Sequence, residues 1–352
     1  MTPIKILVVD DSVVARMVIS KALDKDPDID VVDTATNGKI ALRKIPNYDL
    51  DLVLLDIEMP EMDGLETLAV IKEKHPSLRV IMFSSLTERG SNIVLEALNL
   101  GADDCVAKPT SISSSDGVIE ELRSTLAPKI KALCNRAETN QKIHTSYTPR
   151  IKFAPNKIYE VLAIGVSTGG PKALAALLPT LPASFPIPIV IVQHMPPVFT
   201  KSLAERLDKD SALSIREAQQ GDKLTAGQAL LAPGGYHMVL QRMGSDVYVR
   251  LNQDPPEEGC RPAVDVLFRS VNKIYGDKTL AVILTGMGKD GLAGSKKIVA
   301  SGGTLLAQDE ATSVVWGMPG AVARANLASQ ILPPSALGPE IIKHVNQATV
   351  FR

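Results

Sequence analysis

The sequence predicts two α/β domains, each built on a largely parallel β-sheet. Short runs of Val, Ile and Leu alternate with helix-length amphipathic segments along most of the 352 residues, which is typical of βαβ units. A polar stretch with two prolines and little periodicity interrupts this pattern at residues 136–156. A chain of this length is expected to hold two or three domains. We therefore predict domains at residues 1–135 and 157–352, joined by a linker at residues 136–156.

The first domain is predicted to contain five strands with intervening helices. The strands are expected at residues 6–9, 31–35, 52–55, 80–83 and 104–107, and a last helix is expected at residues 116–133. Most of these runs are strongly apolar, as expected for a parallel sheet that is buried on both faces. The pattern therefore indicates a (βα)5 domain.

The second domain repeats the alternation and adds an antiparallel element. Its strands are expected at residues 159–164, 187–193, 228–231, 280–284 and 304–307. Two further runs of alternating apolar and polar residues flank residues 243–246, which include a glycine where a tight turn would lie. We therefore predict a β-hairpin attached to a mostly parallel sheet.

Composition and charge argue against several classes of protein. The 38 basic and 39 acidic side chains give a net charge of -1, which makes nucleic acid an unexpected partner. The chain begins directly with a strand-like segment, and no apolar run approaches the roughly 18 residues of a membrane span. We therefore expect a cytoplasmic protein that is not integral to a membrane. The three cysteines are widely spaced and odd in number, which argues against disulfides and structural zinc.

Five polar side chains lie at or just after the ends of the first domain's strands: Asp10, Asp11, Asp56, Ser84 and Lys108. The carboxyl ends of parallel strands meet at one edge of the sheet, so these side chains are expected to share a pocket. Clustered carboxylates suit Mg²⁺. Asp56 would then accept a phosphoryl group, with Lys108 and Ser84 contacting its oxygens. The alternative is that Asp10 and Asp11 only cap the following helix and that Lys108 is solvated.

Through these residues, positions 3–125 resemble response-regulator receiver domains. The resemblance implies that Asp10, Asp11 and Asp56 form the metal site. It implies that Asp56 is the phosphoacceptor, that Ser84 is the hydroxyl switch residue and that Lys108 faces the phosphoryl group. A receiver of this kind requires Mg²⁺ for its phosphorylation.

Pro109 extends this resemblance, and Cys105 limits it. Pro109 directly follows the lysine, where the family has its cis-proline candidate. Cys105 stands three residues before the lysine, where receivers usually have an aromatic or other bulky residue. The resemblance therefore does not extend to switching by an aromatic rotamer, whereas it does extend to the phosphorylation chemistry.

Three strand ends of the second domain carry the residue types of a serine hydrolase. Ser167 lies in a glycine-rich turn before a helix, whose free N–H groups favour developing negative charge. His194 ends another buried-strand pattern, and Asp290 follows a third strand in a glycine-rich loop. A serine hydroxyl needs a base that an acid holds in place. We therefore predict Ser167 as the nucleophile, His194 as the base and Asp290 as the orienting acid.

Other interpretations of these residues stay open at this point. His237 also follows a glycine-rich turn and is the rival base, and Asp309 is the rival acid. In a purely structural interpretation, Ser167 bonds its own turn, His194 is a core histidine and Asp290 caps the next helix. A further functional alternative is that the glycine-rich turn binds a nucleotide phosphate, although its spacing fits neither the dinucleotide fingerprint nor the P-loop.

Taken whole, the chain resembles the chemotaxis response-regulator protein-glutamate methylesterases of the CheB type. The matching segments are IGVSTGGP, QHMPPVFTKSLAERL, APGGYHM, CRPAVDVLFRS, ILTGMGKDG and AQDEATSVVWGMP. The resemblance implies the triad of Ser167, His194 and Asp290, with the backbone N–H of Met287 in the oxyanion hole. It also implies a doubly wound catalytic sheet and no cofactor in the esterase site.

The same resemblance implies a reaction and partners. Family members hydrolyse γ-glutamyl methyl esters on the cytoplasmic domains of chemoreceptors, release methanol and deamidate certain receptor glutamines. A chemotaxis histidine kinase would phosphorylate Asp56, and the unphosphorylated receiver is expected to cover the catalytic cleft. The non-enzymatic alternatives are a receiver adaptor or transcription regulator, and a degenerate esterase kept as a binding module. Arg261 is expected either to position an acidic receptor segment or to brace a loop.

Overall fold

A computed structural model describes residues 2–85, 87–109, 115–134 and 157–346, without the side chains of residues 88 and 89. The chain divides into two compact units, Met1–Ile143 and His144–Arg352. The linker predicted at residues 136–156 lies outside the described residues, so the domain boundaries stay predictions.

Within its described residues, the first unit alternates five strands with five helices. The strands are β1 (Ile4–Val9), β2 (Ile29–Ala35), β3 (Leu52–Asp56), β4 (Arg79–Ser84) and β5 (Asp104–Ala107). The helices are α1 (Val13–Leu23), α2 (Gly38–Lys44), α3 (Gly64–Lys74), α4 (Glu88–Leu100) and α5 (Asp116–Cys134). All strand pairs are parallel, in the order β2-β1-β3-β4-β5. The predicted (βα)5 fold is confirmed.

The burial of the central strands explains why their sequence signal is clear. Strand β3 is buried along its whole length, because a parallel sheet is covered on both faces. It ends at Asp56, and β4 ends at Ser84, each one residue beyond the apolar run that predicted it. The strand order places the carboxyl ends of β1, β3, β4 and β5 next to one another, which forms the edge where the pocket was expected.

The second unit is built on a seven-stranded sheet. Its strands are β6 (Val161–Val166), β7 (Ile189–Gln193), β8 (Ser214–Glu217), β9 (Gln228–Leu231), β12 (Thr279–Ile283), β13 (Thr304–Gln308) and β14 (Gln330–Leu332). All pairs are parallel, in the order β14-β13-β12-β6-β7-β9-β8. The chain runs outward from β6 through β7 and later returns to β12 on the other side of β6. This reversal creates a switch point between β6 and β12, where α/β sheets open a crevice.

Helices connect these strands: α6 (Gly170–Leu177), α7 (Phe199–Asp210), α8 (Val264–Tyr275), α9 (Leu292–Ala300), α10 (Met318–Arg324) and α11 (Pro334–Asn346). Helix α8 packs against the centre of the sheet, where its Val264, Leu267 and Phe268 are fully buried. Only glycine allows α8 to pack this close to β6, because a β-carbon at Gly165 would lie 2.3 Å from Cγ1 of Val264. The start of α8 is therefore fixed close to the carboxyl end of β6.

Two strands of this sheet were missed by the sequence analysis. Strands β8 and β14 lie at the two edges of the sheet and are four and three residues long. Both are partly exposed and include polar side chains, because an edge strand has only one neighbour and needs no continuous apolar run. Their sequences therefore lack the signal that marked the central strands.

The predicted hairpin is present, but the expected attachment to the parallel sheet was wrong. Strands β10 (His237–Met243) and β11 (Asp246–Asn252) form a separate two-stranded antiparallel sheet. Its inner side chains join the apolar core around α8, including Met238, Leu240 and Val249. Packing against a helix thus takes the place of hydrogen bonding to the main sheet.

None of the helices described in this structure is long and apolar enough to cross a membrane.

Candidate active site

The acidic residues of the first unit lie together, as the strand ends predicted. Ligand oxygens of Asp10, Asp11 and Asp56 lie within 4.8 Å of one another. The Nζ atom of Lys108 is 2.8 Å from Oδ2 of Asp10 and 2.7 Å from Oδ2 of Asp56. Ser84 is buried at the end of β4 and its carbonyl accepts the backbone N–H of Lys108 at 2.6 Å. The three predicted carboxylates and Lys108 therefore share one pocket, and Ser84 borders it through its backbone bond to Lys108.

Burial and neighbouring charges shift the pKa values of two side chains in this pocket. Burial raises the pKa of Asp56 to about 6, with a contribution from the negative charge of Asp10 and against the opposing effect of Lys108. Burial would lower the pKa of Lys108, but its bonds to Asp10 and Asp56 raise it. The lysine is therefore a permanent cation between two carboxylates, a position suited to a phosphoryl group on Asp56.

The capping alternative for the acidic pair does not hold. The N-cap of α1 is Ser12, whose hydroxyl accepts the backbone N–H of Ala15, and the first turn contains no acid. Asp10 is fully buried and uses Oδ1 to accept the N–H of Ser12. Its second oxygen faces Lys108, so the side chain serves the pocket rather than the helix.

The structure also describes Pro109 and Cys105, the two positions considered next to Lys108. In the described part of the chain, the cis peptide bond is Arg261–Pro262, so the expectation of a cis bond before Pro109 was wrong. The energy difference between the two forms of an X–Pro bond is small, so the surrounding packing decides which one occurs. Cys105 is buried in β5, and burial raises the pKa of its thiol to about 12, which makes it a poor nucleophile.

In the second unit, Ser167 and His194 directly follow neighbouring strands. Val166 of β6 is paired with Gln193 of β7, so the residues that follow these two strands are Ser167, the predicted nucleophile, and His194, the predicted base. The backbone N–H of His194 donates to the carbonyl of Val166 at 3.2 Å. On the other side, the N–H of Ser167 donates to the carbonyl of Thr285 at 3.0 Å. These bonds place Ser167 at the switch point of the sheet.

Asp290 binds four donors. Its Oδ2 lies 2.8 Å from Nε2 of His194 and accepts the backbone N–H of Val264 at 2.6 Å. Its Oδ1 accepts the backbone N–H groups of Asp265 and Gly291, each at 2.8 Å. Burial alone would raise the pKa of Asp290, but the bond and charge of His194 and these backbone donors hold it below its ordinary value. The carboxylate therefore stays charged and fixes the imidazole.

The imidazole of His194 has a second contact, with the thiol of Cys260. Burial opposes protonation of the ring, but the bonds to Asp290 and Cys260 and the negative charge of Asp290 raise the pKa of His194 to about 9. Among the described residues, no hydrogen bond joins Oγ of Ser167 to His194. Such bonds are often long in a free enzyme and tighten when substrate binds.

The loop after β12 passes close to the nucleophile. A β-carbon at Gly286 would lie 2.8 Å from Cβ of Ser167, so only glycine allows this approach. Met287 follows directly, and its backbone N–H has no acceptor among the residues that the structure describes. The role of this N–H as the oxyanion donor, which the sequence resemblance implied, stays a prediction.

Comparison with known proteins agrees with this arrangement. A family model for the CheB methylesterase matches residues 162–341, and a model for the response regulator receiver domain matches residues 6–117. A protein-glutamate methylesterase/protein-glutamine glutaminase of Trichodesmium erythraeum is 50% identical over 351 residues, which cover 98% of this chain and 100% of the relative. This chain belongs to the CheB methylesterase family. A protein of the same name from a Nocardioides species is 47% identical over 98% of this chain and 96% of its own length.

A solved structure extends the match to the CheB-family fold. The CheB methylesterase catalytic domain of Thermotoga maritima is 44% identical, with a TM-score of 0.53, and covers 53% of this chain and 99% of that domain. The CheB-family chain is thus an esterase with a receiver domain before its catalytic domain. The expected family, fold class and enzyme class are confirmed. The nucleotide-binding and adaptor interpretations have no support from these matches.

The rivals for the catalytic roles have structural functions in this CheB-family enzyme. His237 is fully buried, with Nδ1 accepting the N–H of Ala263 at 3.2 Å and Nε2 3.1 Å from the carbonyl of Pro255. Asp309 binds the backbone N–H and the hydroxyl of Thr312 in its own turn. Arg261 donates through Nη1 to two carbonyls of the preceding loop, at 3.0 and 3.1 Å, which is the loop-bracing role.

The sequence analysis missed two residues around the CheB-family triad. Cys260 contacts His194, although nothing in its spacing predicted this. Asp265 uses Oδ1 to accept the N–H of Gly294 at 2.6 Å and so caps α9, while Asp290 caps α8. Asp290 thus caps the helix before it in sequence, not the next one. Asp265 could have been found from the sequence, because it lies in the first turn of α8, where an acidic side chain is favoured.

Proposed function

We propose that this chain hydrolyses γ-glutamyl methyl esters on the cytoplasmic domains of chemoreceptors, deamidates certain receptor glutamines, and is controlled by phosphorylation of Asp56. The observation that carries the esterase proposal is the pair of His194 and Asp290, which lie 2.8 Å apart with side chains 11% and 2% exposed, on the sheet edge that also holds Ser167. Because these receptor domains lie in the cytoplasm, the enzyme is proposed to act there.

The proposed reaction has two steps. The Oγ atom of Ser167 attacks the ester carbonyl while His194 accepts the hydroxyl proton, and this proton then passes to methanol as the C–O bond breaks. His194 next takes a proton from water, which attacks the acyl-enzyme and frees the glutamate carboxylate and Ser167. The backbone N–H of Met287 and the N-terminus of α6 stabilise the oxyanion. For a glutamine substrate, ammonia leaves in place of methanol.

The proposed switch is in the receiver pocket. The all-oxygen ligand set of Asp10, Asp11 and Asp56 fits Mg²⁺, which would neutralise phosphoryl oxygens when bound. Lys108 would contact the phosphoryl group on Asp56, and Ser84 would respond to it. A chemotaxis histidine kinase is the proposed phosphodonor, and the added charge of about 1.5–2 units changes the receiver face.

The test is methanol release from methylated receptor membranes, measured with and without Mg²⁺ and a small phosphodonor. We expect Ser167→Ala to lower turnover by about 10⁴-fold or more. We expect the phosphodonor to raise the rate of the unmodified chain and to have no effect on Asp56→Ala. Near-normal release by Ser167→Ala would contradict the catalytic assignment. Absence of release from the folded, unmodified chain would favour the binding module, and release that ignores the phosphodonor would contradict the switch.

A further inference from the structure

The last residue of β7 links the backbones of the proposed nucleophile and base. Gln193 is buried, with 2% of its surface exposed. Its Nε2 donates to the carbonyl of Ser167 at 2.9 Å and to the carbonyl of His194 at 3.2 Å. Both protons of the amide nitrogen are therefore used, one on each residue that must react in concert.

The orientation of this amide follows from its surroundings. A reversed side chain would place Oε1 against two carbonyl oxygens, which cannot donate to it. In the orientation present, Oε1 is buried and has no hydrogen-bond partner among the described residues. It lies against the first turn of α6, since a β-carbon at Gly170 would come within 1.8 Å of it. The side chain is thus held between the helix on one side and two carbonyls on the other.

Other bonds position each residue singly. The N–H of Ser167 is held by Thr285, and the ring of His194 is held by Asp290. Neither bond sets the distance between Ser167 and His194, which follow two different strands just after the pairing of β6 with β7 ends. The bond from the N–H of His194 to the carbonyl of Val166 fixes only the point at which the two segments begin to separate.

We propose that Gln193 is a positioning residue that sets the separation of Ser167 and His194 through its two hydrogen bonds to their carbonyls. This inference rests on the proposed catalytic roles of these two residues. A displacement of about 1 Å between reacting groups can lower a rate by about 10²-fold. Because Gln193 is buried beneath the turn, its loss is expected to change kcat and to leave substrate binding in place.

The experiment compares Gln193→Met and Gln193→Glu with the unmodified full-length enzyme. Methionine keeps the length and removes the donors, and glutamate keeps the shape and turns the donor into an acceptor. The matched control is Gln330→Met, a glutamine at the edge strand β14 whose side chain bonds Glu340 of α11. Each protein is checked by circular dichroism and thermal unfolding, and methanol release is then measured at several substrate concentrations.

A second readout is the rate at which a fluorophosphonate labels Ser167. In that reaction an Oγ–P bond forms, fluoride leaves, and the hydroxyl proton passes to His194. We expect both Gln193 variants to lose about 10²-fold in kcat and in labelling rate, with KM changed by less than about threefold. Gln330→Met is expected to match the unmodified enzyme in both.

Either a folded Gln193 variant with unchanged kcat and labelling, or an equal loss in Gln330→Met, would overturn the inference. Unfolding of both Gln193 variants would also overturn it, because the side chain would then serve stability. Ser167→Ala separates this result from the proposed function. If Ser167→Ala stays active, the triad assignment fails; if it is inactive while Gln193→Met is normal, only the positioning role fails.

Discussion

At the scale of single residues, Asp290 has two functions that cannot be separated. It holds the imidazole of His194, and it supplies the negative charge for the N-terminus of α8 through Val264 and Asp265. Four donors around one carboxylate lower its pKa despite burial. A substitution here should therefore change both catalysis and stability.

We expect Asp290→Asn to lower kcat by about 10⁴-fold, since the amide no longer favours the reactive tautomer of His194. The same change should lower the free energy of unfolding by about 1–3 kcal/mol, because the amide group cannot accept all four donors. Methanol release and chemical denaturation measure the two effects. Asp309→Asn is the control, and an equal loss of kcat there would shift the acid role to Asp309.

The raised pKa of His194 predicts how activity depends on pH. The protonated imidazole cannot accept the proton of Ser167, so kcat/KM should rise with pH, with a midpoint above the ordinary value of 6.5 and towards the value of about 9. Cys260→Ala should move this midpoint to lower pH, because it removes one of the two side chains whose bonds favour the charged ring. Rates are corrected with Ser167→Ala at each pH, since methyl esters also hydrolyse in alkali. A profile that is flat or falls with pH would contradict the assignment of His194 as base.

At the scale of elements, the close contact of β6 with α8 determines where the site lies. Gly165 allows Val264 to approach the sheet, and the N–H of Val264 binds Asp290. The position of Asp290, the proposed orienting acid, therefore depends on the packing of α8 against β6 at Gly165, two residues before Ser167.

We expect Gly165→Ala to lower the free energy of unfolding by about 1–3 kcal/mol, because its β-carbon would overlap Val264 and Ile283. Methanol release should fall as well, since the start of α8 must move. Gly117→Ala is the control, because no atom lies within 4 Å of a β-carbon at that helical position. There the change should be neutral or stabilise by about 0.4–1 kcal/mol. Unchanged stability in Gly165→Ala would show that the contact relaxes freely.

At the scale of the whole molecule, two chemically independent pockets are encoded in one chain. The receiver pocket consists of carboxylates around a lysine, and the esterase pocket consists of a serine, an imidazole and one carboxylate. The proposed control of the second by the first requires that the phosphoryl group be recognised within the receiver. Lys108 is the group best placed for this recognition.

We expect Lys108→Ala to abolish the stimulation of methanol release by a small phosphodonor, because the phosphoryl group on Asp56 then lacks its lysine partner. Lys39→Ala is the matched control, a lysine of the same unit whose side chain is 56% exposed and 3.6 Å from Glu61. It should be stimulated like the unmodified chain. Full stimulation of Lys108→Ala would remove this lysine from the switch.

The sequence alone predicted most of the molecule because its signals are local. Buried central strands such as β3 and β7 are continuous apolar runs, and the polar residues that follow them mark the functional edge. Thus Asp56, Ser167 and His194 could be singled out from their positions after these runs. The edge strands β8 and β14 could not, because exposure removes the apolar pattern.

Only the tertiary structure decided which distant residues meet. The choice of Asp290 over Asp309 depended on which carboxylate reaches His194, and the exclusion of His237 depended on its buried contacts with Ala263 and Pro255. The contacts of Cys260 and Gln193 likewise join segments far apart in the chain, and strand order and helix packing set such distances. The sequence determined the residue types and their place at strand ends, since these follow from local periodicity. The three-dimensional fold determined their partners, since hydrogen bonding depends on distances that no local pattern contains.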